Sequence, residues 1–167
     1  MIEIRPAMAS DLEAVAELDW RALHEPFESG PRHAERKRAH ATAWCRASSG
    51  DAELVFVARE GQTLVGFAAV RIVVGEAELD AIAVAEDGRR RGLGRAILQR
   101  VVDELAARGV AILRLEVRAG NAAARALYAT LGFSEEGLRA RYYASGEDAV
   151  LYVRGVTAHS SSAARSS

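Results

Sequence analysis

Residues 76–94 decide the fold: Glu76-Ala77-Glu78-Leu79-Asp80-Ala81-Ile82-Ala83-Val84, then Ala85-Glu86-Asp87-Gly88, then Arg89-Arg90-Arg91-Gly92-Leu93-Gly94. The opening run alternates with the period of a strand: Glu78, Asp80, Ile82 and Val84 point one way, Ala77, Leu79, Ala81 and Ala83 the other. After the glycines the period becomes helical over 92–108. Leu93, Ile97, Val101 and Leu105 form the apolar stripe, Leu98 and Val102 widen it, and Gly109 stops it. Between strand and helix lies a basic, glycine-containing turn. A helix start leaves about four backbone N–H groups unpaired and carries the positive end of the helix dipole. Two glycines let an anion approach those donors, and three arginines add charge, so the turn suits a diphosphate. It is not a Walker A loop, because no Gly-Lys-Ser/Thr follows. It is not the dinucleotide Gly-x-Gly-x-x-Gly either, because position 97 is Ile.

Outward from this unit the chain reads as mixed α+β. Toward the N-terminus, Ile2 to Arg5 is a short strand ended by Pro6, and Ser10 and Asp11 offer N-cap chemistry for a helix to Leu23. A loop with Pro26, Gly30 and Pro31 leads to a basic helical segment from Arg32 to Arg46. Leu54 to Arg59 and Leu64 to Ile72 are strands joined by the hairpin signal Glu60-Gly61-Gln62-Thr63. Toward the C-terminus, Val110 to Val117 is a buried strand, and Asn121 caps a helix closed by Gly132. Leu138 to Tyr143 and Ala149 to Val153 are final strands. One strand–helix–strand crossover among antiparallel strands reads as α+β and not as a regular βαβ array. Residues 1–156 read as one domain, and 157–167, small and polar, as a disordered tail.

Composition bounds the function. The chain has 167 residues and a formal net charge of -1, so nothing draws it as a whole to nucleic acid or an anionic membrane. No segment approaches the ~18 apolar residues of a membrane span, and the first residues have no signal-peptide core. Cys45 is the only cysteine, which fits a reducing cytoplasm. His24, His33, His40 and His159 lack tight ligand spacing, so no metal is expected.

The motifs together resemble a known family. A strand, Arg89-x-x-Gly92-x-Gly94 and an amphipathic helix are similar to the acetyl-CoA loop of the GNAT N-acetyltransferases. Asn121-x-x-Ala124-x-x-Leu127-Tyr128-x-x-x-Gly132-Phe133 is similar to the motif that follows the next strand in that family. The likeness covers residues 2 to 154. Leu115-Glu116-Val117-Arg118-Ala119-x-Asn121, Arg141-Tyr142-Tyr143 and Glu147-Asp148-Ala149 resemble the ribosomal-protein alanine N-acetyltransferase (RimI-type) branch, which acetylates the α-amine of a protein N-terminus.

The resemblance implies a GNAT fold: a mixed, mostly antiparallel sheet whose two central strands splay apart to hold the pantetheine of acetyl-CoA. Backbone groups of Ile82, Ala83 and Val84 would pair with the pantetheine. The loop Arg89, Arg90, Arg91, Gly92, Leu93, Gly94 and Arg95 would hold the pyrophosphate, and Asn121 would bond the pantetheine arm. Glu116 would be the general base and Tyr128 the general acid. Glu78 and Asp80 are rival bases, because another branch carries its carboxylate on that strand. An ion pair of Glu116 with Arg114 or Arg118 is the structural alternative. Tyr142, Tyr143, Glu147 and Asp148 would line the acceptor groove. The expected acceptor is a protein N-terminus; a small amine is the alternative, and a non-catalytic acyl-CoA-binding module or a nucleotide-binding domain are others. A monomer or homodimer, with no nucleic acid or membrane partner, completes the expectation.

Overall fold

The structure is a computed structural model and describes residues 1–24, 26, 33–47 and 52–156. The proposed tail at 157–167 lies outside them. Among the described residues, seven strands form one sheet in the order β1-β2-β3-β4-β5-β7-β6. They are β1 (Ile2–Pro6), β2 (Glu53–Glu60), β3 (Thr63–Val73), β4 (Glu76–Val84), β5 (Ile112–Arg118), β6 (Ser134–Arg139) and β7 (Ala149–Gly155). The helices are α1 (Leu12–Asp19), continued by a π-helical turn over Trp20–His24, then α2 (His33–Ala47), α3 (Leu93–Ala107) and α4 (Ala122–Thr130). All neighbouring strands are antiparallel except β4 and β5, the pair joined through α3.

Strand alternation sorts the core onto two faces. Phe56, Ala58, Ala68 and Val70 face the side of α3, where Ile97, Leu98, Val101 and Leu105 are fully buried. Tyr128, Leu131 and Phe133 extend that layer through α4 and its exit. Val57, Phe67 and Ala69 face the other side, against Val15 and Leu18 of α1 and Trp44 of α2. Removing one of the fully buried α3 side chains costs about 2–5 kcal/mol, because a close-packed core does not fill the hole.

Three expectations are corrected. The alternation of β4 does not run through: Ala69 pairs with Ala81 but Val70 pairs with Leu79, so Asp80 is an extra, bulged residue. A bulge of one residue reverses which side the following residues face. Ala77 and Leu79 lie on the α3 side, and beyond the bulge Ile82 and Val84 take that side while Ala81 and Ala83 turn to α1. Second, β6 occupies Ser134–Arg139 rather than 138–143. Its residues are all exposed, so this edge strand has no apolar alternation to read, whereas Arg141 turns with φ 51° and donates its N–H to Asp148. Third, Asp11 does not cap its helix in the ordinary way. It is 2% exposed, accepts the N–H of Met8, and pairs with Arg5 and Arg59 at 2.7 Å each. Hydrogen bonds from Arg5 foremost lower its pKa to about 2, against some opposition from burial.

Candidate active site

β4 and β5 pair only over Glu76–Leu79 against Ile112–Leu115. Beyond that point β4 stays paired with β3, and β5 with β7, but not with each other. The splay begins at the Asp80 bulge. It opens a cleft of about 1510 Å³ that runs from the start of α3 to the π-turn and α2. Ile82, Ala83 and Val84 line it, and among the described residues their backbone edge toward β5 has no strand partner.

At one end sits the start of α3. Gly92 is its N-cap residue with φ 73°, a left-handed conformation that favours glycine, and no side chain caps the helix. The first N–H groups of α3 are therefore left to a ligand or to water. A side chain at Gly94 would meet Leu127 Cδ2 at 3.3 Å, so glycine there keeps α3 and α4 close. Arg90, at φ 59°, holds a conformation rare for a side-chain-bearing residue. Arg89, Arg90, Gly92, Leu93, Gly94 and Arg95 line the cleft; Arg91 does not. Arg91 makes two bonds to Glu60 on β2, at 3.0 and 2.9 Å, so its side chain is committed elsewhere. Arg89 Nε donates to the Val84 carbonyl at 3.3 Å, tying the loop back to β4.

In the middle, the structure brings Glu116 and Tyr128 to the same cleft. Glu116 pairs with Arg139 at 2.7 Å, and with neither Arg114 nor Arg118. Arg114 instead bonds Glu76 and Glu136, and Arg118 bonds Glu147. Tyr128 is buried among Phe133 and Tyr152, and burial pushes its hydroxyl up to about 12. Asn121 caps α4 by accepting the Ala124 N–H at 3.1 Å, as its position before the helix predicts. Its side chain lines the cleft as well. Tyr143 reaches the cleft with Arg118 stacked 3.9 Å from its ring centre. Glu147 and Asp148 are held in the loop itself: Glu147 accepts the Gly120 N–H, and Asp148 the Arg141 N–H. Of the rival carboxylates, Asp80 lines the cleft and Glu78 does not, and Arg71 bridges both. Burial raises the Asp80 carboxyl, against the pull of Arg71.

At the far end, sequence reasoning missed a cluster. Asp19, His24 and His40 place ligand-capable atoms within 4.8 Å of one another. Asp19 also accepts the indole N–H of Trp44 at 3.0 Å. Spacing along the chain hid the group, because His40 on α2 stands far along the sequence from Asp19 and His24. The available signal was Asp19 itself, a carboxylate one turn after Val15 on the apolar stripe.

A profile of the Acetyltransferase (GNAT) family matches residues 12–133. The [ribosomal protein bS18]-alanine N-acetyltransferase of Escherichia coli K12 is 45% identical over 122 residues, 69% of this chain and 82% of the relative. The crystal structure of the ribosomal-protein-S18-alanine N-acetyltransferase from Escherichia coli superposes with a TM-score of 0.79 at 36% identity. The superposition covers 97% of this chain and 98% of that one. The PaiA N-acetyltransferase of Thermoplasma acidophilum, solved with coenzyme A, shares the fold at 21% identity. Its TM-score is 0.73, covering 93% of this chain and 99% of that one.

Proposed function

The chain belongs to the GNAT acetyltransferase family and is an N-acetyltransferase; from that premise we propose that its acceptor is the N-terminal α-amine of a protein, of the ribosomal class its relative modifies. The observation that carries this reading is the likeness to the alanine N-acetyltransferase of Escherichia coli across nearly the whole of both chains. A cytoplasmic location, one catalytic domain over 1–156 and a monomer or homodimer go with it.

The residues fit acetyl-CoA. The uncapped start of α3 offers N–H donors to a pyrophosphate, and the free edge of β4 at Ile82, Ala83 and Val84 offers amide partners to the pantetheine. Bound acetyl-CoA supplies the acetyl thioester. An α-amine, with pKa about 7.7–8.0, attacks only when neutral. Glu116 takes the proton that the amine nitrogen loses as it bonds the carbonyl carbon, directly or through one water. A β4 backbone N–H stabilises the oxygen that becomes negative, a contribution of ~10²–10³ where such donors have been removed. As the carbon–sulfur bond breaks, Tyr128 donates its phenolic proton to the departing thiolate. Its raised pKa keeps that proton in place until this step.

A second reading, acetylation of a small amine, is favoured by Asp80 at the cleft. A raised carboxyl there, partly neutralised by Arg71, is a weaker cation site than two free acids would be. Thiol release from acetyl-CoA separates the two, with a peptide beginning Ala-Arg in one arm and a panel of small amines in the other. Turnover confined to small amines overturns the proposal.

A further inference from the structure

We propose that Asp19, His24 and His40 form a binding site for one divalent transition-metal ion, Zn²⁺ by the chemistry of its ligands, at the end of the cleft away from α3. The ligand set is one carboxylate and two imidazoles, a combination that suits zinc. Around a tetrahedral Zn²⁺, with bonds of about 2.0–2.2 Å, neighbouring ligand atoms lie about 3.4 Å apart. The three atoms here already fall within 4.8 Å of one another, so small rotations close the set.

The contacts at Asp19 are poorly explained by hydrogen bonding alone. Asp19 is 2% exposed, and its Oδ1 has no hydrogen-bond partner among the described residues. An unsatisfied buried carboxylate oxygen is costly. His40 Nε2 lies 2.6 Å from Asp19 Oδ2, yet it too lacks an aligned hydrogen bond. At 2.6 Å the pair is in ion-pair contact, closer than two ligands of one tetrahedral Zn²⁺, so an ion entering between them would draw the imidazole back from Oδ2 by about 0.8 Å. His24 Nε2 stands 3.5 Å from the same oxygen. The indole N–H of Trp44 donates to Oδ2 at 3.0 Å, the kind of outer hydrogen bond that orients a ligating carboxylate.

The backbone supplies an independent observation. Residues 20–24 are wound as a π-helix. In an α-helix, a residue five positions on lies about 140° around the axis. The wider π-turn, with its i→i+5 bonding, brings His24 back over Asp19. The turn is therefore the device that makes a ligand pair of two residues an α-helix would hold apart. His40 arrives from α2, so the ion would fasten α2 to the end of α1. Three protein ligands leave a position open, and all three residues line the cleft.

The test uses the full chain after treatment with a chelator. Co²⁺ is titrated while visible d–d absorption is recorded, and Zn²⁺ binding is followed by calorimetry. The expected result is one ion per chain, with visible bands of a low-coordinate Co²⁺ site that Zn²⁺ bleaches. His24→Gln and His40→Gln each weaken Zn²⁺ binding at least tenfold, and Asp19→Asn does the same. Because Asp19 is buried, coenzyme A binding checks that each variant is folded, and the half-exposed His24 supplies a variant that perturbs packing least. Absence of stoichiometric uptake by the folded wild type overturns the proposal, as does equal affinity in the folded histidine variants. Neither result bears on the acetyltransferase reading, because the readout does not involve turnover.

Discussion

The two ends of the cleft are built by opposite means. The end at α3 is made of backbone: an uncapped helix start, a glycine at φ 73° and a strand edge without a partner. Its residues run almost continuously from Ile82 to Arg95. The end at α2 is made of side chains drawn from separate elements: Asp19 from α1, His24 from the π-turn, His40 and Trp44 from α2 and Asp80 from the β4 bulge. A site of backbone groups depends on few side-chain identities: it needs only glycines and a helix start. A site of gathered side chains can change its ligand by changing single residues.

The comparison can be broken first in the middle, where the ends meet. Glu116→Gln should lower kcat by ~10²–10⁴-fold with little change in coenzyme A affinity, as expected for loss of a general base. Retained turnover, with loss in Asp80→Asn instead, would move the base to the acceptor side. Tyr128→Phe should cost less, about 10–100-fold, below the usual general-acid range because a thiolate leaves well. Since burial holds this hydroxyl at about 12, it stays protonated through the assay range. The wild-type kcat should therefore show no alkaline fall below about pH 10. An earlier fall that vanishes in the Phe variant would contradict its assignment.

Gly92→Ala should raise the acetyl-CoA KM about 5–30-fold, since a side chain at φ 73° costs about 1–2 kcal/mol and distorts the donor loop. It should leave the acceptor KM alone, which is the sharpest separation of the two ends. Arg91→Ala should change the acetyl-CoA KM least, less than threefold, because its side chain is held by Glu60 outside the cleft.

The contrast also explains what could be read from the chain. The α3 end was legible because its residues are contiguous and the physics is that of a helix start. The crossover followed from the order of strand and helix periods, whereas the splay and the roles of Glu116 and Tyr128 were implied by the family resemblance. The Asp80 bulge was not legible, since one unpaired residue leaves the alternating pattern of β4 intact while reversing its second half. The Asp19 cluster was hidden for a different reason: it depends on a π-turn and on the packing of α2, and neither has a local sequence signature. Arg139, the ion-pair partner of Glu116, comes from an exposed edge strand that carries no hydrophobic pattern.

The most direct test of the central claim is the rate of thiol release from acetyl-CoA with an Ala-Arg peptide, measured beside the same peptide with its α-amine already acetylated and beside small amines. The account predicts turnover with the free peptide, none with the blocked one, and little with the small amines. Equal rates with free and blocked peptide, or turnover of small amines alone, would contradict acetylation of a protein N-terminus.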